Sequence, residues 1–436
     1  MFQIIFLLIT LSKSIKEKYI KLPFYTINHY LSKDPKTLIK ENFYNDIYTY
    51  IKVGSKSEKI PVSIKLQSYP FYILGENLRS DLNKDIFHQS KSNTYKSNLD
   101  FYAYGGEDFM NGTLSNDKIY FDNIENNLDF VLAKTLNEKM KVYQGGSLGF
   151  KLHNINSAKI QNVSLINLLK ENKLISKKVF SFNYYDSNEK GDLIIGLKQH
   201  EINENYLEDD FISCKAKITE GEIIWGYEFN NITIDGKEIS KSNSKLAEFR
   251  IEYNYIVAGL NIFREYENVF FNQQGQKCHK DLFQIQCQSE FYFYYCDSDV
   301  DIKQLKILKF ENKELNYTFN FTYEDLFIKY DGKYYFQIVV SKYESEDWYF
   351  GKPFFKKYSL TFDSDAKSFG LYTKYKKEGF FSKLFSTFFT TGFFLIIAII
   401  IIFGLIYYIY FNMIKKNRRK RANELIDDNY DYISHD

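Results

Sequence analysis

This 436-residue chain has little proline (five residues), four cysteines, two tryptophans and six histidines. No Cys-x-x-Cys pair occurs, which removes the usual thiolate zinc site. The histidines are scattered. There is no His-Glu-x-x-His helix and no phosphate-binding glycine loop, so nothing in the sequence implies a metal or other cofactor. Heptads, short repeats and low-complexity linkers are also missing. Charge of one sign is not in excess: the formal net charge is +2. A basic run near the C-terminus accounts for more than that. The remainder is mildly acidic, which argues against nucleic acid as a partner. Asn, Lys, Ile, Tyr and Phe are abundant, a pattern set by coding base composition that carries no functional content.

Long apolar runs are equally few, and they sit at the ends. Leu384 to Phe411 contains no charged residue. About twenty apolar residues at roughly 1.5 Å each cross a hydrocarbon core of about 30 Å. Tyr407, Tyr408 and Tyr410 fall where an interfacial aromatic belt lies. Lys415, Lys416, Arg418, Arg419, Lys420 and Arg421 follow at once, which puts residues 412–436 in the cytosol. This basic stretch is also suited to anionic lipid of the inner leaflet. Residues 1–14, with the apolar run Phe2 to Leu11, read as a signal peptide. The expected topology is therefore a single-pass type I membrane protein of the secretory or endolysosomal pathway or the cell surface. In that setting Cys214, Cys278, Cys287 and Cys296 can form two disulfides, with three connectivities open. Asn111, Asn162, Asn231, Asn316 and Asn320 head five Asn-x-Ser/Thr sequons and are candidate glycosylation sites.

Between the ends the pattern is that of short strands. Asp46-Ile-Tyr-Thr-Tyr-Ile-Lys-Val53 is rich in β-branched and aromatic residues. Asp235-Gly236 and Asp331-Gly332 each separate two strand-like runs, the signature of a tight hairpin that needs positive φ. The best helix runs from Ser164 to about Lys173, with Ser164 as N-cap and Leu165, Leu168 and Leu169 as one apolar stripe.

The order of segments over roughly residues 45 to 375 resembles the pepsin-like aspartic peptidases. Ile47 to Gly54 is similar to that family's opening strand. Ile86-Phe-His-Gln-Ser-Lys-Ser-Asn-Thr-Tyr-Lys96 resembles its Phe-x-Pro-Ser-x-Ser-Ser-Thr-Tyr turn. Tyr104-Gly105-Gly106, followed by Gly112-Thr-Leu-Ser-Asn-Asp117, looks like the flap hairpin and the strand after it, with Tyr104 as the flap tyrosine. Gly146-Ser-Leu-Gly149-Phe150, Leu168 to Phe182, Gly191 to Gly196, and Trp348-Tyr-Phe-Gly351 through Leu371 resemble later segments in the family's order. The resemblance implies a mainly β, bilobal fold with a central cleft. The N-terminal lobe would span 45–190 and the C-terminal lobe 195–375, with one transmembrane helix at 384–411.

The same resemblance implies two Asp-Thr/Ser-Gly loops whose carboxylates hold one water and share one proton. No such triplet occurs in the chain. Alignment on Pro61-Val-Ser-Ile puts Lys65 at the first Asp position and Gln67 at its glycine. Alignment on Ala247 and Ile256-Val257 puts Arg250 at the second and Glu252 at its glycine. Arginine is never a general base at neutral pH, and lysine is one only when burial lowers its pKa strongly. The reading that follows is a non-catalytic homologue whose Lys65 and Arg250 extend into water, with Glu252 a possible partner. A repurposed cleft that attracts an acidic ligand is the other reading of the two cations. The expected role is binding a protein or peptide, through the cleft or the lobe surfaces. An active aspartic endopeptidase, drawing a carboxylate from elsewhere, and a cargo or sorting receptor are the alternatives. The latter is suggested by Tyr430-Asp431-Tyr432-Ile433, which resembles a Tyr-x-x-apolar sorting signal.

Overall fold

The computed structural model describes residues 17–27, 32–44, 46–66, 70–76, 78, 86–105, 108–136, 144–151, 164–185, 189–219, 222–239, 246–285, 289–342, 348–374 and 402–418. The expected signal peptide at 1–14, residues 384–401 of the expected membrane span, Gln67, Asn162, Cys287, Tyr430 and Ile433 lie outside them. So does the side chain of Tyr104, whose backbone belongs to the strand Lys96–Gly105.

Alternation builds the first hairpin. Along Asp46–Val53, Ile47, Thr49, Ile51 and Val53 are buried, and Tyr48, Tyr50 and Lys52 lie on the opposite face. The partner Glu58–Lys65 buries Ile60, Val62 and Ile64, and the two pair antiparallel with Ile51 opposite Ile60. Gly54 closes the turn at φ 75, and a Cβ there would meet Phe87 at 2.9 Å. Both Asp-Gly pairs fold as expected: Asp235 and Gly236 have φ 52 and 79, and Asp331 and Gly332 have φ 45 and 73. The helix Leu165–Glu171 starts after Ser164 and buries Leu165, Ile166, Leu168 and Leu169.

One strand arrangement occurs twice. In the N-terminal half, Glu58–Lys65 runs parallel to Gly146–Gly149, which is antiparallel to Tyr72–Leu74, which is parallel to Ile124–Leu136. In the C-terminal half, Leu246–Phe249 runs parallel to Trp348–Phe350, which is antiparallel to Ile256–Ala258, which is parallel to Ile338–Ser341. In each copy the chain leaves one strand, loops, and returns on the far side of a strand that comes much later in sequence.

A 13-stranded sheet joins the two ends of this unit. The strand Ile20–Ile27 lies between Asp46–Val53 and Lys190–Ile195. The C-terminal hairpin Leu360–Asp363 and Ser368–Tyr372 docks beside Val179–Tyr184. Its core is aromatic: Phe180 stacks on Phe362 at 5.0 Å, with Trp225 edge-on to both. Each such fully buried ring contributes about 1.5–3 kcal/mol. The indole of Trp225 also donates to the Phe150 carbonyl at 2.8 Å, a direct tie between the halves.

A short helix, Pro35–Glu41, covers a second apolar cluster on the C-terminal half. Asp34 caps it by accepting from the Thr37 amide at 2.8 Å. Leu38 and Ile39 are its buried contribution; Phe43, just past its end, joins them, and its ring lies within 5.0–6.3 Å of Tyr44, Tyr253, Tyr255, Phe283 and Phe291.

Among the described residues one disulfide forms, Cys278–Cys296, between directly paired strand positions. Cys214 is buried and unpaired, which corrects its candidacy for a disulfide: it is the buried residue of the edge strand Phe211–Lys215. Residues 402–418 form a separate helix whose apolar part, through Phe411 and Met413, is exposed. No helix among the described residues is long and apolar enough to cross a membrane.

Candidate functional site

The repeated strand arrangement fixes which residues are equivalent. In the first copy Ile64 pairs with Leu148 and Lys65 with Gly149. In the second, Phe249 pairs with Phe350, and the next residue, Arg250, donates its amide to the Phe350 carbonyl at 2.9 Å. Lys65 and Arg250 therefore stand at corresponding points, each where its strand turns into the crossing loop and beside the Gly149 or Gly351 that ends the partner. Lys65 is half-buried, and its carbonyl accepts from the Phe150 amide at 2.9 Å.

Arg250 does not extend into water, contrary to expectation. Its side chain is 27% exposed and sits between two carboxylates. Nη2 donates to Glu248 Oε2 at 2.9 Å and Nη1 to Glu252 Oε1 at 3.3 Å. The guanidinium also lies over the Tyr349 ring at 5.5 Å. Burial works against the Arg250 charge, but the two carboxylates outweigh it and hold the group more firmly protonated than usual. Glu248 is 11% exposed, and that burial lifts its carboxyl above the ordinary range. Arg250 pulls the other way, Glu252 reinforces the rise as a like charge, and Lys151 of the N-terminal half opposes it. Counting formal charges, Glu248, Arg250 and Glu252 sum to −1. A cleft cation free to receive an acidic ligand is therefore not available at Arg250.

The loop beyond Arg250 is held from outside. The Tyr253 amide donates to the Arg250 carbonyl at 3.0 Å, forming a turn. Asn254 Nδ2 donates to the carbonyls of Asn42 at 2.7 Å and Tyr44 at 3.2 Å, and the Asn254 amide to Phe43 at 3.0 Å. The segment after the short helix is thus sewn to the second loop. Gly351 packs under the same loop: a Cβ there would come within 2.3 Å of the Tyr255 carbonyl and 2.4 Å of the Tyr253 carbonyl.

Lys352, the next residue, is buried and ion-paired with Glu189 Oε2. Glu189 also accepts from Lys356 at 3.0 Å and from the Thr26 hydroxyl at 2.6 Å. One carboxylate thus joins the N-terminal strand, the turn before Lys190 and the helix Lys352–Lys357. Despite partial burial, these donors hold Glu189 down at about 2. Lys352 moves the other way in stability terms. Desolvation pulls its ammonium down to about 8, and the Glu189 carboxylate only partly compensates. The contrast follows from exposure: Glu189 is 35% exposed and has three donors, whereas Lys352 is 6% exposed.

Sequence reasoning missed Glu248, Tyr349 and the Glu189–Lys352–Lys356 cluster. It also read the chain as having no Gly-x-Ser-x-Gly elbow, although Gly145-Gly146-Ser147-Leu148-Gly149 has that spacing. Ser147 lies mid-strand and fully buried, and its hydroxyl has no hydrogen-bond partner, so it is not the exposed serine of a strand-to-helix elbow. Among the described residues no group of three His, Cys, Asp or Glu could hold a metal ion.

A duplicated β fold, with a crossing loop in each half and a late strand threaded between, defines the class of two-lobed acid peptidases. Residues 46–374 match the model of the eukaryotic aspartyl protease family, and the chain belongs to that family. No curated protein matches the chain.

Proposed function

We propose that this chain is a membrane-anchored, non-catalytic member of the family whose ectodomain binds a protein or peptide. The observation that carries the reading is the charge set at the two equivalent loop positions. A peptidase of this class needs two carboxylates, one as base on the water and one as acid. Here Lys65 stands at one position and Arg250, closed by Glu248 and Glu252, at the other. Both carboxylates belong to one half of the fold, and both are engaged by the arginine between them.

The test is peptidase activity of the purified full chain from acidic to neutral pH. The expected result is no pepstatin-sensitive cleavage. Lys65→Asp should not restore it, because the second carboxylate and both loop glycines are still missing. Pepstatin-sensitive turnover that one Asp or Glu replacement abolishes would establish an active peptidase instead.

Anchoring rests on the uncharged run Leu384 to Phe411 and the basic stretch after it. Protease added outside intact cells should degrade the ectodomain and spare residues 412–436. Survival of the ectodomain there would reverse the topology. With that topology the protein belongs to the secretory or endolysosomal pathway or the cell surface, and its basic tail faces anionic lipid.

A further inference from the structure

Four of the five sequons fall among the described residues, and the fold treats them unequally. The strand Tyr317–Phe321 is the outermost of a four-stranded sheet, with Leu308–Asn312 on its inner side. Phe319 and Phe321 point into the core, so Asn320 between them points away and is exposed. Asn316 opens the same strand from a turn. It is exposed, with φ 48, a left-handed conformation that asparagine tolerates. Asn231 differs: its side-chain Oδ1 is buried without a hydrogen-bond partner, in a strand paired on both sides.

We propose that Asn316 and Asn320 carry N-linked oligosaccharides that cover this sheet edge, and that Asn231 stays unmodified. The proposal rests on the ectodomain being lumenal, as argued above. In the transfer, Nδ2 of asparagine displaces the diphosphate of a polyisoprenyl-diphosphate oligosaccharide. The anomeric C–O bond breaks, a C–N bond forms, and Nδ2 gives up one proton to a base of the transferase. Transfer precedes folding, but the product is kept only where the folded chain leaves room for it. At Asn316 and Asn320 the sugar projects into solvent. At Asn231 the side chain is half-buried with its Oδ1 enclosed, so the carboxamide lacks that open path. The two acceptors are roughly 13 Å apart at about 3.3 Å per residue, so two hydrated chains span the whole edge. Exposed edges template pairing with other chains unless they are blocked. The fold already blocks part of this one, since the Tyr358 hydroxyl accepts from the Asn320 amide at 2.8 Å and donates to its carbonyl at 3.0 Å.

The experiment is expression of the full chain in eukaryotic cells, enzymatic deglycosylation in heavy-oxygen water, and peptide mapping of each sequon. Label at Asn316 and Asn320 and none at Asn231 is the expected pattern. Thr318→Ala, which leaves Asn316 in place but removes its acceptor signal, should lose that label alone. The Asn316→Gln, Asn320→Gln double variant should self-associate more in sedimentation. Label at Asn231 with Asn316 and Asn320 bare would overturn the site assignment while supporting lumenal exposure. No label at any sequon would overturn the assignment together with the topology beneath it.

Discussion

Replacing Glu189 by Gln tests a long-range polar contact of the fold. Glu189 is held at about 2 against an ordinary 4.5, by Lys352, Thr26 and Lys356. At about 1.36 kcal/mol per pKa unit that difference is worth roughly 3.4 kcal/mol. The side chain is 35% exposed, so solvent screening cuts the figure to about 2 kcal/mol. Glu189→Gln also removes a carboxylate from Lys352, which is only 6% exposed, and breaking one partner of a buried pair costs more than the pair is worth. We expect a total loss of about 3 kcal/mol at neutral pH. Because Glu189 has a depressed folded pKa, its contribution is full above pH 4.5 and fades as pH falls toward about 2. Lys352 has the opposite effect. Its folded pKa of about 8 lies below the ordinary 10.5, so its charge is a net cost below pH 8, relieved as pH rises between those values. Lys352→Met should therefore cost under about 1 kcal/mol, and Glu189→Gln with Lys352→Met should be more stable than Glu189→Gln alone. Denaturant unfolding of the full chain in detergent reads this through Trp225 and Trp348, both buried in this unit. A neutral-pH loss below about 0.5 kcal/mol for Glu189→Gln, or a larger loss for Lys352→Met, would refute the reasoning.

Arg250→Met leaves Glu248 and Glu252 side by side and 11% and 18% exposed, which should cost about 3 kcal/mol at neutral pH. That deficit should shrink on mild acidification, as Glu248 takes a proton; a pH-independent deficit in denaturant titrations would contradict the charge argument. Gly351→Ala drives a methyl into two carbonyls and should cost at least about 3 kcal/mol, or prevent expression of folded chain, by the same assay. Replacing both Cys278 and Cys296 by Ser should cost about 3 kcal/mol for a bridge between positions 18 apart in sequence. Cys214, buried and with its thiol pushed up to about 12, should resist thiol reagents until the chain unfolds, as mass spectrometry of labelled protein will show.

Local pattern and segment order made much of this fold legible. The strand Asp46–Val53 carries its register in its own alternation, and an Asp-Gly pair needs no distant partner to specify its turn. Equivalence of Lys65 and Arg250 came from segment order, and the two pairing registers express it in space. Glu248 was missed because three consecutive buried residues, Ala247, Glu248 and Phe249, break the alternation that would have flagged it. A signal was present all the same: side chains two apart on a strand share a face, so Glu248 and Arg250 were neighbours by period alone. Glu189 and Lys352 lie 163 positions apart, and no local pattern announces such a pair. Cys214 shows the converse limit, since a cysteine count gives possible pairings while burial in the core decides which sulfur is withheld.

The charges at the second loop also fix how the site responds to acid. A dyad of two carboxylates works in acid because one shared proton removes the repulsion between them. Glu248, Arg250 and Glu252 carry −1 when all are ionised, and Glu248 is the more buried of the two carboxylates. Burial raises the Glu248 pKa, so the folded chain binds a proton there before the unfolded chain does. Between the raised folded value and the ordinary 4.5, falling pH therefore adds stability at this group. The proton neutralises Glu248 and leaves Arg250 and Glu252 as a one-to-one pair. Acid that would arm a carboxylate dyad instead brings this cluster to charge balance, and no carboxylate is released in the process to act as a base.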